Sequence, residues 1–432
     1  MKVINFRKIL TILIDVSLFL IVITFYFSYK IANIAILLLI VSWFLKKVFF
    51  FERLSFNLSG KLDKLIFLSY ILFFTWHLIA VIFSENTAEA WKNVESKFVL
   101  LLFPIVLLEI GLSQKTIAQL LKTFIFSSAI CTIYLLFGSF ANYTTNGELL
   151  TYHDFTNQLN FHAVFYSYYV FLGLLLIVFF LNQKKLDGKQ KGLLIFSLII
   201  LTTGLVVAAS KNVMLVTLLI FIIWFGKKML TRNLKLNEIG FLIVITVGSM
   251  IAIYQLESVK NRVVELTQLN GIENLDKVKN DNYLVLEDIL EFNGTSLRLT
   301  LWYIGVRELD KKDSWLLGLT PGDQKQLLNA EFERVGIHPH YYGYNLHNQF
   351  VQTLVESGIV GLLIYLIWQL LYFIKSIKSR NYLLLSFIAA FFIFQQTESI
   401  IERSKGIVFF VFFLILLQQV KSEPNETSNP RY

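Results

Sequence analysis

Read for its hydrophobic and polar positions, the chain is a series of long apolar runs joined by short polar links. One helix crosses a bilayer core with about 20 apolar residues, fewer where flanking side chains reach the interface. Twelve runs meet that standard: 9–29, 31–45, 65–83, 97–112, 117–140, 160–181, 192–209, 212–225, 239–255, 357–374, 382–396 and 405–420. The pattern predicts an all-α polytopic membrane protein of about 12 transmembrane helices, with one long external loop between helices 9 and 10. Four regions follow: an N-terminal bundle of nine helices (1–255), the large loop (256–356), three C-terminal helices (357–420) and a tail (421–432). The tail is polar and turn-rich and reads as disordered. Inside the loop, VKNRVVELTQL (259–269) is amphipathic, and SLRLTLWYIGVREL (296–309) puts Leu297, Leu301 and Ile304 on one stripe. GLTPGD (318–323) reads as a turn before another helix.

Charge orients this pattern. With the N-terminus inside, the cytoplasmic links carry Lys46, Lys47, Arg53, Lys61 and Lys64, then four lysines over 182–191, then Lys227, Lys228, Arg232 and Lys235, and finally Lys375, Lys378 and Arg380. The opposite link 141–159 has no Lys or Arg. Such asymmetry is the positive-inside rule, and both termini fall in the cytoplasm. The same distribution explains a net charge of +9 without a nucleic-acid partner. Only 16% of residues are charged and 56% are hydrophobic, against about 25% charged in soluble domains. The first apolar run lacks a small-residue cleavage site, so it reads as a span rather than a removable signal. One cysteine, Cys131, gives neither a disulfide framework nor a thiolate metal site.

Phosphate-cradling glycine loops, dinucleotide turns, HExxH and paired cysteines are all missing, so nucleotide-driven classes have no support. Basic residues on the outer side stand out instead: Lys92 and Lys97, Lys211, Arg298 and Arg307. Each works against the topology bias. An anionic ligand at the outer leaflet is one reason; a solvated face or a lipid phosphate is the other. His347, where the loop meets the tenth span, either caps a helix or faces a reaction. His338 and His340 make a weak two-histidine metal pattern without a carboxylate nearby. His77 reads as a hydrogen-bonded core residue, and Asp15 and Glu109 as side chains reaching a cytoplasmic interface.

The order of features is more informative than any one of them. Ser210-Lys211 opens a span, Arg298-x-x-x-Trp302 follows, then GLTPGD, then His347-Asn348 ahead of Gly358-Ile359-Val360-Gly361. This arrangement resembles the O-antigen ligase and polymerase family of bacterial envelope glycosyltransferases, most strongly over about 205–370. Two departures matter: Lys211 stands where the family has arginine, and GLTPGD loosens its glycine turn. The resemblance implies a glycan donor on a polyprenyl (undecaprenyl) diphosphate and an acceptor hydroxyl on lipid A–core or a similar glycan. Transfer would take place at the periplasmic face of the inner membrane, among membrane lipids, with no cofactor, nucleotide or metal. Lys211 and Arg298 would hold the diphosphate, with Lys92, Lys97 and Arg307 as further cations. His347 would take the acceptor's proton, with Asp288 or Glu291 as rival bases, while Trp302 and Asn348 support. A polymerase joining lipid-linked repeats shares this donor chemistry. A glycolipid transporter is the rival from another class. Transporters favour broken helices and repeated halves, whereas here only Pro104 lies in a predicted span.

Overall fold

A computed structural model describes residues 2–27, 29–56, 58–183, 186–230, 272–279, 292 and 294–421. All its regular elements are helices, as expected. They are α1 (Lys2–Phe27), α2 (Tyr29–Phe49), α3 (Lys61–Ile82), α4 (Thr87–Lys97), α5 (Val99–Ile110), α6 (Gln114–Asn146), α7 (Tyr152–Asn157) and α8 (Ala163–Leu181). There follow α9 (Gly188–Val207), α10 (Lys211–Leu230), α11 (Ile272–Lys279), α12 (Gly294–Lys311), α13 (Gln324–Arg334), α14 (Gln349–Lys378), α15 (Tyr382–Phe394) and α16 (Ser404–Gln418).

Among the described residues, eight helices are long and apolar enough to cross a membrane: α1, α2, α3, α6, α8, α9, α10 and α14. Helices α15 and α16 are apolar but shorter. The expected span 239–255, the amphipathic piece 259–269, Asp288, Glu291 and the tail 422–432 lie outside the described residues. A count of twelve is therefore not established.

Two spans differ in kind from the expectation. The run 97–112 is not one helix, because α4 ends at Lys97 and α5 begins at Val99. Helix α4 is a polar helix, capped by the Asn86 side chain, which accepts from Glu89 N–H at 3.1 Å. Helix α5 has only 12 residues and contains Pro104, which removes one intrahelical donor. The run 357–374 belongs to a longer element: α14 starts at Gln349, inside the expected loop, and breaks at Gly358 (φ 69°, ψ −173°).

The break in α14 explains two sequence features together. Leu319 N–H donates to Val355 O at 2.8 Å and Ile359 N–H to Trp315 O at 2.8 Å, so segment 315–319 satisfies backbone groups at the break. Trp76 Nε1–H on α3 donates to Ser357 O at 2.9 Å. A Cβ on Gly358 would sit 2.1 Å from Leu316 O, and one on Gly318 2.6 Å from the Glu356 backbone. Two backbones cross here, and only glycine allows the approach.

Two apolar cores form. The larger joins the membrane helices through stacked aromatics, such as Tyr169 on Phe409 with ring centroids 4.0 Å apart. The smaller lies in the loop region, where Leu297, Leu301 and Ile304 are buried with Leu328, Phe332 and Leu346. Its polar rim is held by Glu331, which pairs with Arg307, Lys311 and Arg334.

Candidate active site

The start of α14, the α15–α16 connection (395–403), α12 and the start of α10 meet at one place. Asn348 is the N-cap of α14: its side chain accepts from Phe350 N–H at 2.9 Å and Val351 N–H at 3.2 Å. His347 is therefore not the cap. Its backbone is left-handed (φ 46°), and its N–H donates to Asn345 Oδ1 at 3.0 Å. The imidazole Nδ1 lies 3.2 Å from Glu398 Oε2. Trp302 Nε1–H donates to Leu346 O at 2.8 Å, which fixes the approach to this turn from α12.

Arg298 enters the same cluster one helical turn before Trp302. Its Nε–H donates to Thr397 O at 3.1 Å, and Nη1–H to Gly294 O at 2.6 Å. Nη2 lies 3.6 Å from Glu398 Oε1. Asn212 Nδ2–H donates to Thr397 Oγ1 at 2.5 Å, so Lys211, next to Asn212 at the first residue of α10, approaches the same connection. Burial raises the Glu398 carboxyl, but the hydrogen bond and charge of His347, together with Arg298, outweigh it and hold Glu398 below its ordinary value of 4.5. His162, the N-cap of α8, is within electrostatic reach of both Glu398 and His347, and its ring centroid lies 4.4 Å from that of His153.

Sequence reasoning missed Glu398. It sits 51 residues after His347 in a polar link between two short apolar helices, and no spacing rule connects the two. The available signal was acidic residues in a link flanked by apolar runs, on the same side as His347.

The other cations divide. Lys97 is fully buried, with Nζ 2.7 Å from Glu356 Oε1, 3.0 Å from Glu402 Oε2 and 2.7 Å from Asn93 Oδ1. Two carboxylates face one ammonium. Burial, then the charge of Glu356, raise the Glu402 carboxyl above its ordinary value despite Lys97. A buried pair of this kind is weak evidence for net stability, since desolvation offsets attraction. His77 Nδ1–H donates to Phe73 O at 2.9 Å, and its Nε2 lies 3.8 Å from Glu356. Lys92 is exposed on α4 and pairs with Glu89 at 3.1 Å. Arg307 pairs with Glu331 and lies over the Tyr303 ring at 5.2 Å, away from Arg298's contacts at Thr397 and Glu398. Glu109, expected to reach an interface, is bound by Lys47 and by Trp43 Nε1–H at 2.8 Å. The His338 and His340 Nδ1 atoms lie 2.6 Å apart, and no group of three potential metal ligands occurs among the described residues.

Fold and site together define a polytopic helical membrane protein with a polar cluster built from helix ends and loops. Residues 196–366 match the family model described as O-antigen ligase, so over that segment the chain is similar to that family. No curated protein matches the chain. The matched segment holds Lys211, Arg298 and His347, while Glu398 lies beyond it. Helices long and apolar enough to cross a membrane, with the match over 196–366, make this a membrane protein similar over that segment to the O-antigen ligase family.

Proposed function

We propose that this protein transfers a glycan from a polyprenyl diphosphate to an acceptor hydroxyl, such as that of lipid A–core, at the periplasmic face of the inner membrane. One observation carries the reading: His347, Arg298 and a buried Glu398 converge beside the start of α10. In the reaction the acceptor oxygen forms a bond to the anomeric carbon as the carbon–phosphate oxygen bond breaks. The acceptor's proton passes to His347 Nε2, and the electron pair leaves on the diphosphate. Negative charge growing on that diphosphate is met by the guanidinium of Arg298 and the ammonium of Lys211, placed before the reaction begins. The chemistry asks for neither nucleotide nor metal. Lys97 and Arg307, each already matched by carboxylates, serve the framework in this reading.

Glu398 gives His347 its direction. A carboxylate at Nδ1 favours the tautomer with the proton on Nδ1, leaving the Nε2 lone pair to accept. Glu398→Gln should keep the fold and lose most turnover. Its stability should also show a pH signature. A carboxyl depressed in the folded state stabilises above its unfolded pKa and stops doing so as pH falls through the folded value. The melting-temperature gap between wild type and Glu398→Gln should be open at pH 7 and close below the ordinary carboxylate value. A gap unchanged by acid would show that the carboxylate charge is not what is stabilised.

The acceptor decides between ligase and polymerase. Deleting the gene should cause a lipid-linked glycan to accumulate: full-length polymer for a ligase, single repeats for a polymerase. Normal surface glycan with no accumulated carrier would remove both.

A further inference from the structure

A second polar cavity, about 280 Å³, opens between α4, α13 and the 343–345 turn, with Glu402 and Arg403 along one wall. We infer that this cleft binds the terminal sugar of the acceptor; the inference rests on the transfer reaction proposed above. Its lining is unusual for a membrane protein. Four amides, Asn93, Gln324, Asn345 and Gln352, line it. Their oxygens already accept within the protein, Asn93 from Lys97, Asn345 from His347 N–H, Gln324 from Gln352 and Gln352 from Leu346 N–H, so what they offer a sugar's hydroxyl oxygens is N–H donors. Tyr344, 38% exposed, also lines it and offers an aromatic ring to the apolar C–H face of a sugar.

Its volume is at the small end of ligand cavities, suited to a terminal unit rather than a chain. Lys92, Lys325 and Arg403 line it together with Glu89 and Glu402, and Lys92 pairs with Glu89, so the charges are largely matched and the cleft suits a neutral or weakly acidic sugar.

Position separates acceptor from donor. Tyr344 links the cleft to the reaction centre, with its ring centroid 5.7 Å from that of His347. Arg298 and Asn212, the neighbour of Lys211, meet the 395–403 connection at Thr397, whereas the cleft meets it at Glu402 and Arg403. A displacement brings the nucleophile in opposite the leaving group. With the diphosphate at Arg298 and Lys211, the hydroxyl arrives from the cleft, past His347. The cleft's floor is rigid: Gln352 Nε2–H donates to Gln324 Oε1 at 2.9 Å, and Glu402 is tied to Lys97. A fixed floor places the sugar without further ordering.

The test uses the full chain in liposomes, with a polyprenyl-diphosphate-linked glycan as donor and purified lipid A–core as the acceptor probe. Tyr344→Ala should raise the apparent KM for lipid A–core by about tenfold, leaving donor KM and kcat at saturating acceptor near wild type. Tyr344→Phe, which keeps the ring, should behave as wild type. Lys92→Ala, at an exposed position that does not threaten folding, should raise acceptor KM in the same selective way. Unchanged acceptor KM in Tyr344→Ala and Lys92→Ala, with wild type active, overturns the cleft assignment and leaves the reaction standing. A rise in donor KM alone also overturns it, by making the cleft a donor site. No transfer by the wild-type chain overturns the reaction and the cleft together.

Discussion

His347→Asn inserts and folds at wild-type levels yet loses about 10²–10⁴-fold in glycan transfer, the usual cost of a missing general base. The variant is chosen for what it leaves intact. Asn348 remains the cap of α14, so the cost of about 0.5–2 kcal/mol for a lost cap does not arise. The left-handed backbone at 347 also survives, because asparagine tolerates that region better than most residues. What disappears is the imidazole and its pairing with Glu398. Quantifying folded protein by fluorescence-detected size exclusion, and turnover in the same sample, checks both halves. Near-normal turnover would return His347 to a structural role and pass the base to another group, with Asp288 and Glu291 first in line.

Arg298→Lys is the second large effect. The guanidinium spreads its donors over Thr397 O, Gly294 O and the Glu398 carboxylate, and in the proposed reaction also faces the diphosphate. One ammonium cannot reproduce a fork, so Arg298→Lys should retain little activity. Lys211→Arg should be tolerated, because it adds donors at a position where the family's usual residue is arginine. Comparing kcat for the two exchanges, at matched amounts of folded protein, separates charge from geometry. Full activity in Arg298→Ala at normal protein level would take Arg298 out of the site.

What the sequence revealed, and what it hid, follows from the range of the forces involved. Apolar runs of span length announce membrane helices, because the bilayer leaves the backbone few alternatives. Helices α3, α8 and α9 cover the runs expected at 65–83, 160–181 and 192–209, within a few residues at their ends. The break between α4 and α5 was hidden, since 98–108 is apolar throughout and helix polarity says nothing of a turn at Phe98. Motif order located His347 and Arg298, which meet through Glu398. Glu398 left only the trace of an acidic link between apolar runs: its pairing depends on α15 and α16 bringing that link back to the start of α14. Lys97 misled for a related reason. An outer-side lysine looks like a ligand for an anion, but its anions are internal. Glu356 stands at the head of an otherwise uncharged run, and Glu402 lies near the end of the chain. Buried charge needs a partner, and its partners lie 259 and 305 residues further along the chain.

The most direct measurement is transfer itself. Purified protein in liposomes is given a polyprenyl-diphosphate-linked glycan and lipid A–core, without nucleotide. The account predicts a new glycosidic bond to lipid A–core with release of polyprenyl diphosphate, and loss of that product in His347→Asn. Movement of the glycolipid across the bilayer, with no new glycosidic bond, would contradict it and identify a transporter.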